Sequence, residues 1–229
     1  IGAEVLVRWI HPKLGFLSPA DFIPVFEDNG MIAELDKYMW RSACEIIAGW
    51  EGSRYDDLFI SINISPKDFF FMDVYEEIKS IVEEYGVDPS RLRIEITETV
   101  MMTDMENRMR ILQDFKNDGF IVEMDDFGAG YSSLNMVTTI PFDVMKLDMK
   151  FVRNMTVDDK SRRMVELIID IARFMEVIVV AEGVETEEQL NMLKEMGCQV
   201  IQGYYFSRPL PAEEFGRLIE KEMGSGGIC

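Results

Sequence analysis

An α/β fold closed into a parallel barrel is predicted by three features of the sequence. Short apolar runs rich in Ile and Val alternate with longer amphipathic segments along the chain, as repeated βα units of a buried parallel sheet do. The chain has 229 residues, 48% of them hydrophobic, which suits one large domain with a full core. None of the turns that follow the apolar runs carries G-x-G-x-x-G, the fingerprint of the doubly wound open sheet that is the structural competitor.

In chain order the strands are expected as follows. The first run is EVLVRW (4–9), after which Ser18-Pro19-Ala20-Asp21 opens a helix with a serine at the N-cap and proline at the first helical position. LFISINIS (58–65), LRIEIT (92–97) and FIVEMD (120–125) come next, separated by amphipathic segments that stop at Gly30, Gly86 and Gly119. VMKLDM (144–149) and VIVVAE (177–182) continue the alternation. Thr186-Glu187-Glu188-Gln189 then reads as a capping box, its helix ends at Gly197, and QVIQG (199–203) is the last run. Seven strands in a chain of this length approach the eight of a TIM (β/α)8 barrel of about 250 residues. Because Ile1 already lies at the edge of the first run, the missing strand is expected upstream of it. Residues 1–223 are read as the barrel domain and residues 224–229 as a flexible C-terminal tail.

Lys and Arg number 23 against 42 Asp and Glu, a formal net charge of −19. Such a field disfavours nucleic-acid polymers and anionic lipid surfaces, and a small phosphate ligand would need metal ions to approach. No apolar run reaches the roughly 20 residues of a membrane helix, and no secretory leader is visible. Three widely spaced cysteines, Cys44, Cys198 and Cys229, suit free thiols better than a disulfide framework. A cytoplasmic location is expected, with any membrane anchor of a longer parent lying outside these residues.

Polar residues interrupt the strands at telling places. Glu4, Asn63, Glu95, Asp125, Asp126, Lys146, Asp148 and Glu182 lie in or at the end of different runs, and Gln202 sits near the last. In a barrel the carboxyl ends of all strands meet at one mouth. Unpaired carboxylates buried there would cost several kcal/mol each, and one lysine cannot neutralise them. Divalent cations can. An all-oxygen ligand set suits Mg²⁺ or Mn²⁺, while His11, the only histidine, cannot build a zinc site. Adjacent Asp125 and Asp126 favour two ions, a geometry suited to in-line displacement at phosphorus by an activated water. Lys146 and Asp148, two apart, are expected to face the barrel interior together.

Taken singly, a strand-end glutamate is more often solvated than a ligand, and Asp125-Asp126 before Phe127-Gly128 is compatible with plain turn chemistry. Joint placement on successive strands reverses the balance. The FFFM run (69–72) reads as helix-packing surface more readily than as a dimerisation patch, and the 17 methionines as core filling. A one-metal barrel enzyme with Lys146 as proton-abstracting base remains a second chemistry compatible with the ligand distribution.

The same residues resemble a family. EVLVRW is similar to the signature of the EAL-domain cyclic di-GMP phosphodiesterases, and SINISP, EITET, MDDFGAGYSSL, KLD, AEGVET and QGYYFSRP follow in that family's order. The resemblance implies a modified TIM barrel whose first strand is antiparallel and lies upstream of residue 1. It implies hydrolysis of cyclic di-GMP to linear pGpG by a water activated between two Mg²⁺ or Mn²⁺ ions. Carried over by position, Glu4, Asn63, Glu95, Asp125, Asp126 and Glu182 are the metal ligands. Lys146, Glu182 and Asp148 are the catalytic residues, and Arg8, Leu6, Asp148, Gln202 and Glu185 contact substrate. Glu98 steadies the DDFGAG loop. Val5 stands where the signature has alanine, on the strand face opposite Glu4. The resemblance further implies a GGDEF or sensory domain upstream in the parent and a homodimer formed through the DDFGAG loop and its following helix. A catalytically silent cyclic di-GMP receptor is the alternative it leaves open.

Overall fold

The computed structural model describes residues 1–128 and 139–225. Seven strands form one curled sheet in the order β1 (Gly2–Glu4), β4 (Phe59–Asn63), β5 (Leu92–Thr97), β6 (Ile121–Phe127), β7 (Val144–Leu147), β8 (Ile178–Ala181) and β9 (Val200–Ile201), and every neighbouring pair is parallel. A separate antiparallel hairpin joins β2 (Trp9–His11) to β3 (Gly15–Leu17). The edge strands β1 and β9 approach at their carboxyl ends, where Gln202 Nε2 donates to Glu4 Oε2 at 3.1 Å. The sheet is therefore curled most of the way round, as a modified TIM barrel requires.

The helices cover its outer face. They are α1 (Pro19–Asn29), α2 (Ile32–Gly49), α3 (Asp68–Phe71), α4 (Val74–Tyr85), α5 (Met105–Asn117), α6 (Met149–Asn154), α7 (Asp159–Phe174), α8 (Glu187–Met196) and α9 (Ala212–Ser225). Their apolar sides and the outward residues of the strands make one core around Trp40, Ile47, Ile78, Leu92, Ile94, Leu112, Phe115 and Met145. The local signals act as expected at several ends: Gly30, Gly86 and Gly197 take left-handed conformations behind α1, α4 and α8, and the Thr186–Gln189 capping box is formed. Ser18 is the N-cap of α1 in backbone conformation only, without a side-chain hydrogen bond.

Four expectations change. EVLVRW is not one strand: β1 stops at Glu4, and Trp9 pairs with Leu17 in the hairpin, where its ring packs edge-on against Phe22 at 5.3 Å between centroids. VMKLDM ends as a strand at Leu147, and Asp148 caps α6 instead. The FFFM run divides, with Phe69 and Met72 packed on the core while Phe70 and Phe71 are exposed. Helix α9 continues through Ser225, two residues into the expected tail, and residues 226–229, including Cys229, lie outside the described residues. Cys44 and Cys198 are free and buried, and burial pushes the Cys44 thiol up to about 12, so it is inert.

Candidate active site

The mouth of the barrel is built from strand ends. Register places Glu4 beside Ser61, Asn63 beside Glu95, and Thr97 beside Asp125. Between Met124 and Phe127 the β6–β7 register shifts. Met124 pairs with Met145 and Phe127 with Leu147, so Asp125 and Asp126 together face the single residue Lys146. This is a β-bulge. Asp126 takes φ 52°, a conformation that aspartate tolerates better than most residues. The bulge explains how two neighbouring carboxylates reach one site although an alternating strand would send them to opposite faces.

Lys146 sits at the centre, 3% exposed in its side chain. Its Nζ lies 2.7 Å from Glu182 Oε1, 3.6 Å from Glu4 Oε2 and 3.8 Å from Asp125 Oδ1, and it also contacts Glu95 Oε1. One carboxylate oxygen from each of Glu4, Glu95 and Glu182 lies within 4.8 Å of the others. One ammonium faces four carboxylates. The imbalance shows in the titration of the acids. Burial, then the charges of Glu182 and Asp126, pushes Asp125 up to about 8. Burial first and Asp148 second raise Asp126, and burial raises Glu182 against the opposing pull of Lys146. Apart from the Lys146 ammonium, both oxygens of Glu95, Oδ1 of Asp125 and Oε1 of Glu182 are buried with no donor among the described residues. Buried oxygens in that state, all of hard-ligand type, fit Mg²⁺ or Mn²⁺.

Glu4 is held from both sides. Asn63 Nδ2 donates to its Oε1 at 3.0 Å and Gln202 Nε2 to its Oε2. The Asn63 carbonyl accepts from the indole of Trp40 at 3.1 Å. Glu98 is buried and accepts from Gly128 N–H at 3.1 Å, at the start of the DDFGAG loop. The rest of that loop, and the pairing region expected there, fall in residues 129–138, outside the described residues.

Other expected site residues lie apart from the lysine cluster. Asp148 is buried and spends an oxygen on Lys150 N–H at 2.7 Å, capping α6, while its charge is felt at Asp126. Glu185 points to the rim and pairs with Arg153 at 2.8 Å. Arg8 donates to the neighbouring Val7 carbonyl and has no ion pair among the described residues; Leu6 is exposed beside it. Arg153 and Trp40 carried no sequence signal, because each meets its partner only across the fold, 32 and 23 residues away. Two glycines shape the strand ends. At Gly183, φ is 70° and a Cβ would stand 2.5 Å from Met149 Cβ, and at Gly203 one would stand 2.2 Å from the Val184 carbonyl oxygen.

Comparison with known proteins agrees with this geometry. The EAL domain profile matches residues 1–209. The chain is 37% identical over 216 residues to the oxygen sensor protein DosP of Escherichia coli, covering 93% of this chain and 27% of DosP. It is 36% identical over 217 residues to the cyclic di-GMP phosphodiesterase NbdA of Pseudomonas aeruginosa, covering 93% and 28%. Thus the chain spans well under two thirds of the curated relatives it matches. Among solved structures, the MucR phosphodiesterase in complex with c-di-GMP superposes with a TM-score of 0.88 at 32% identity over 93% of this chain and 86% of that one. The EAL enzyme Bd1971, bound to cAMP and cyclic di-GMP, superposes with a TM-score of 0.90 at 31% identity over 95% and 60%. No helix among the described residues is long and apolar enough to cross a membrane. A parallel barrel with carboxylates at its mouth, ordered motifs and a profile match over nine-tenths of its length together place the chain in the EAL-domain family.

Proposed function

We propose that this chain is a metal-dependent phosphodiesterase that opens cyclic di-GMP to linear pGpG. The observation that carries the reading is the set of buried oxygens of Glu95, Asp125 and Glu182 that share a single lysine as their one donor. Relatives named as cyclic di-GMP phosphodiesterases support the substrate.

Glu4, Asn63, Glu95, Asp125, Asp126 and Glu182 would hold two Mg²⁺ or Mn²⁺ ions. Such ions supply Lewis acidity and a water acidic enough to attack phosphorus at neutral pH. Lys146 keeps a positive charge at the inner wall, where it orients that water and offsets charge that grows on the phosphoryl oxygens. Arg8, free of acidic partners among the described residues, offers its fork of N–H donors to a substrate phosphate. Glu182 and Asp148 complete the catalytic group, the latter through the field it exerts on Asp126. Leu6, Gln202 and Glu185 form the rim that meets the rest of the dinucleotide. In a longer parent, a GGDEF or sensory domain upstream and pairing of two barrels would regulate this activity in the cytoplasm.

The test is incubation with cyclic di-GMP and Mg²⁺, Mn²⁺ or EDTA, alongside Asp125→Asn, with nucleotides followed by chromatography. Metal-dependent pGpG that the variant fails to make supports the proposal. Cyclic di-GMP that is bound but returned unchanged at every metal concentration overturns it in favour of a receptor.

A further inference from the structure

We infer that Trp40 is a positioning residue for Asn63 and, through Asn63, for Glu4. This rests on the reading of Asn63 and Glu4 as metal ligands. The ladder between β1 and β4 has its last rung at Val5 N–H to the Ser61 carbonyl, 3.0 Å. By the two-residue period of a parallel ladder, the next donor to β4 would serve the Asn63 carbonyl. The sheet supplies none, because β1 has ended at Glu4 and the chain turns toward the hairpin. Trp40 Nε1 takes that place at 3.1 Å.

The donor is rigidly mounted. Trp40 is fully buried in the middle of the 18-residue helix α2. One turn earlier on the same helix, Asp36 lies against Asp68, whose Oδ2 accepts from Ser65 N–H at 2.9 Å. Helix α2 thus holds the Asn63 carbonyl and lies against Asp68 beyond Ile64, while Ile64 N–H donates to the Glu95 carbonyl at 3.0 Å. With its own carbonyl and the next N–H both held, Asn63 can present its amide to Glu4 Oε1 in one orientation. Partners that orient metal ligands in this way are needed for affinity as well as for the fold.

The test is Mn²⁺ binding to the full chain without nucleotide, followed by water-proton relaxation, for wild type, Trp40→Phe, Asn63→Ala and the double variant. A fifth protein carries 3-benzothienylalanine at position 40, which keeps the shape of tryptophan and replaces its N–H by sulfur. Removing the indole donor by either route is expected to weaken Mn²⁺ binding roughly tenfold, the scale for an outer partner of a ligand. In the Asn63→Ala background the Trp40 change is expected to add nothing, since its effect passes through that amide. Wild-type affinity in both position-40 proteins, or effects that multiply in the double variant, would overturn the inference and leave the ligand assignment standing. Unchanged affinity in Asn63→Ala alone would sink both. Should Trp40→Phe fail to fold, the benzothienyl protein decides.

Discussion

Replacing Asp125 by Asn should make the metal-free chain less sensitive to alkali. Asp125 is pushed from 3.8 up to about 8 by burial and by the charges of Glu182 and Asp126, so between those values the folded chain holds a proton that the unfolded chain has released. With more protons on the folded side, unfolding free energy falls as pH rises, by about 1.4 kcal/mol per pH unit for one group. Over pH 5 to 8 this single carboxyl accounts for a loss of up to about 4 kcal/mol, a ceiling because part of the group meets solvent. The amide of the variant has no proton to lose. Urea unfolding in EDTA at pH 5, 6, 7 and 8 should therefore show a steep decline for wild type and a shallower one for Asp125→Asn. The two should agree near pH 5 and part by several kcal/mol at pH 8. With saturating Mn²⁺ the order should reverse, since ligand binding stabilises only the chain that binds. Parallel pH profiles in EDTA would refute the reasoning, because they would mean that Asp125 ionises in the folded state as easily as in the unfolded one.

Further outcomes follow from the same geometry. Lys146→Met removes the only ammonium among Glu4, Glu95, Asp125 and Glu182; the metal-free chain should lose about 3 kcal/mol or more at pH 8 and less at pH 5, where the acids take up protons. Asp36, pushed from 3.8 up to about 9 by burial and by Asp68, also binds its proton more tightly when folded, so Asp36→Asn should flatten the decline of thermal stability between about pH 4 and 9 while leaving the profile below about pH 4 unchanged. Glu98→Ala deprives Gly128 N–H of its acceptor and should cost about 1 kcal/mol in urea unfolding and a much larger share of turnover, since the loop that carries Asp125 and Asp126 loses its tie. Gly183→Ala, at φ 70° and 2.5 Å from Met149 Cβ, should lower stability by about 2 kcal/mol, and Met149→Gly in the same chain should recover part of it; an unchanged melting temperature would count against the tight β8 turn.

What the sequence disclosed follows physical lines. LRIEIT coincides with β5 to the residue, because Leu92, Ile94 and Ile96 alternate with Arg93, Glu95 and Thr97 at the two-residue period of a strand. The carboxylates of the mouth were legible as polar residues in or at the end of successive runs. EVLVRW misled because its apolar residues serve two structures, and only the distant Leu17 draws Trp9 into a hairpin. Asp148 was read as an inward strand residue from its spacing to Lys146, but the strand ends one residue sooner and the carboxylate caps a helix. Links such as Trp40 to Asn63 and Arg153 to Glu185 leave no local trace, since neither partner departs from what its own segment would tolerate.

The bulge in β6 changes the parity of a strand. Up to Met124 the odd-numbered residues face the barrel interior, as Glu123 does in its contacts with Arg93 and Ser61; after the bulge Phe127 belongs to the outer core beside Leu147. One inserted residue thus delivers two acids to the same face and returns the next aromatic to the helices without lengthening the neighbouring strand. Deleting either aspartate would accordingly remove the bulge as well as a charge. The strand would return to plain alternation, with Phe127 still opposite Leu147 and a single acid left facing Lys146. Point substitution at 125 or 126 alters the chemistry of the mouth on an intact bulge, whereas a one-residue deletion there keeps the outward placement of Phe127 and leaves the mouth one acid short.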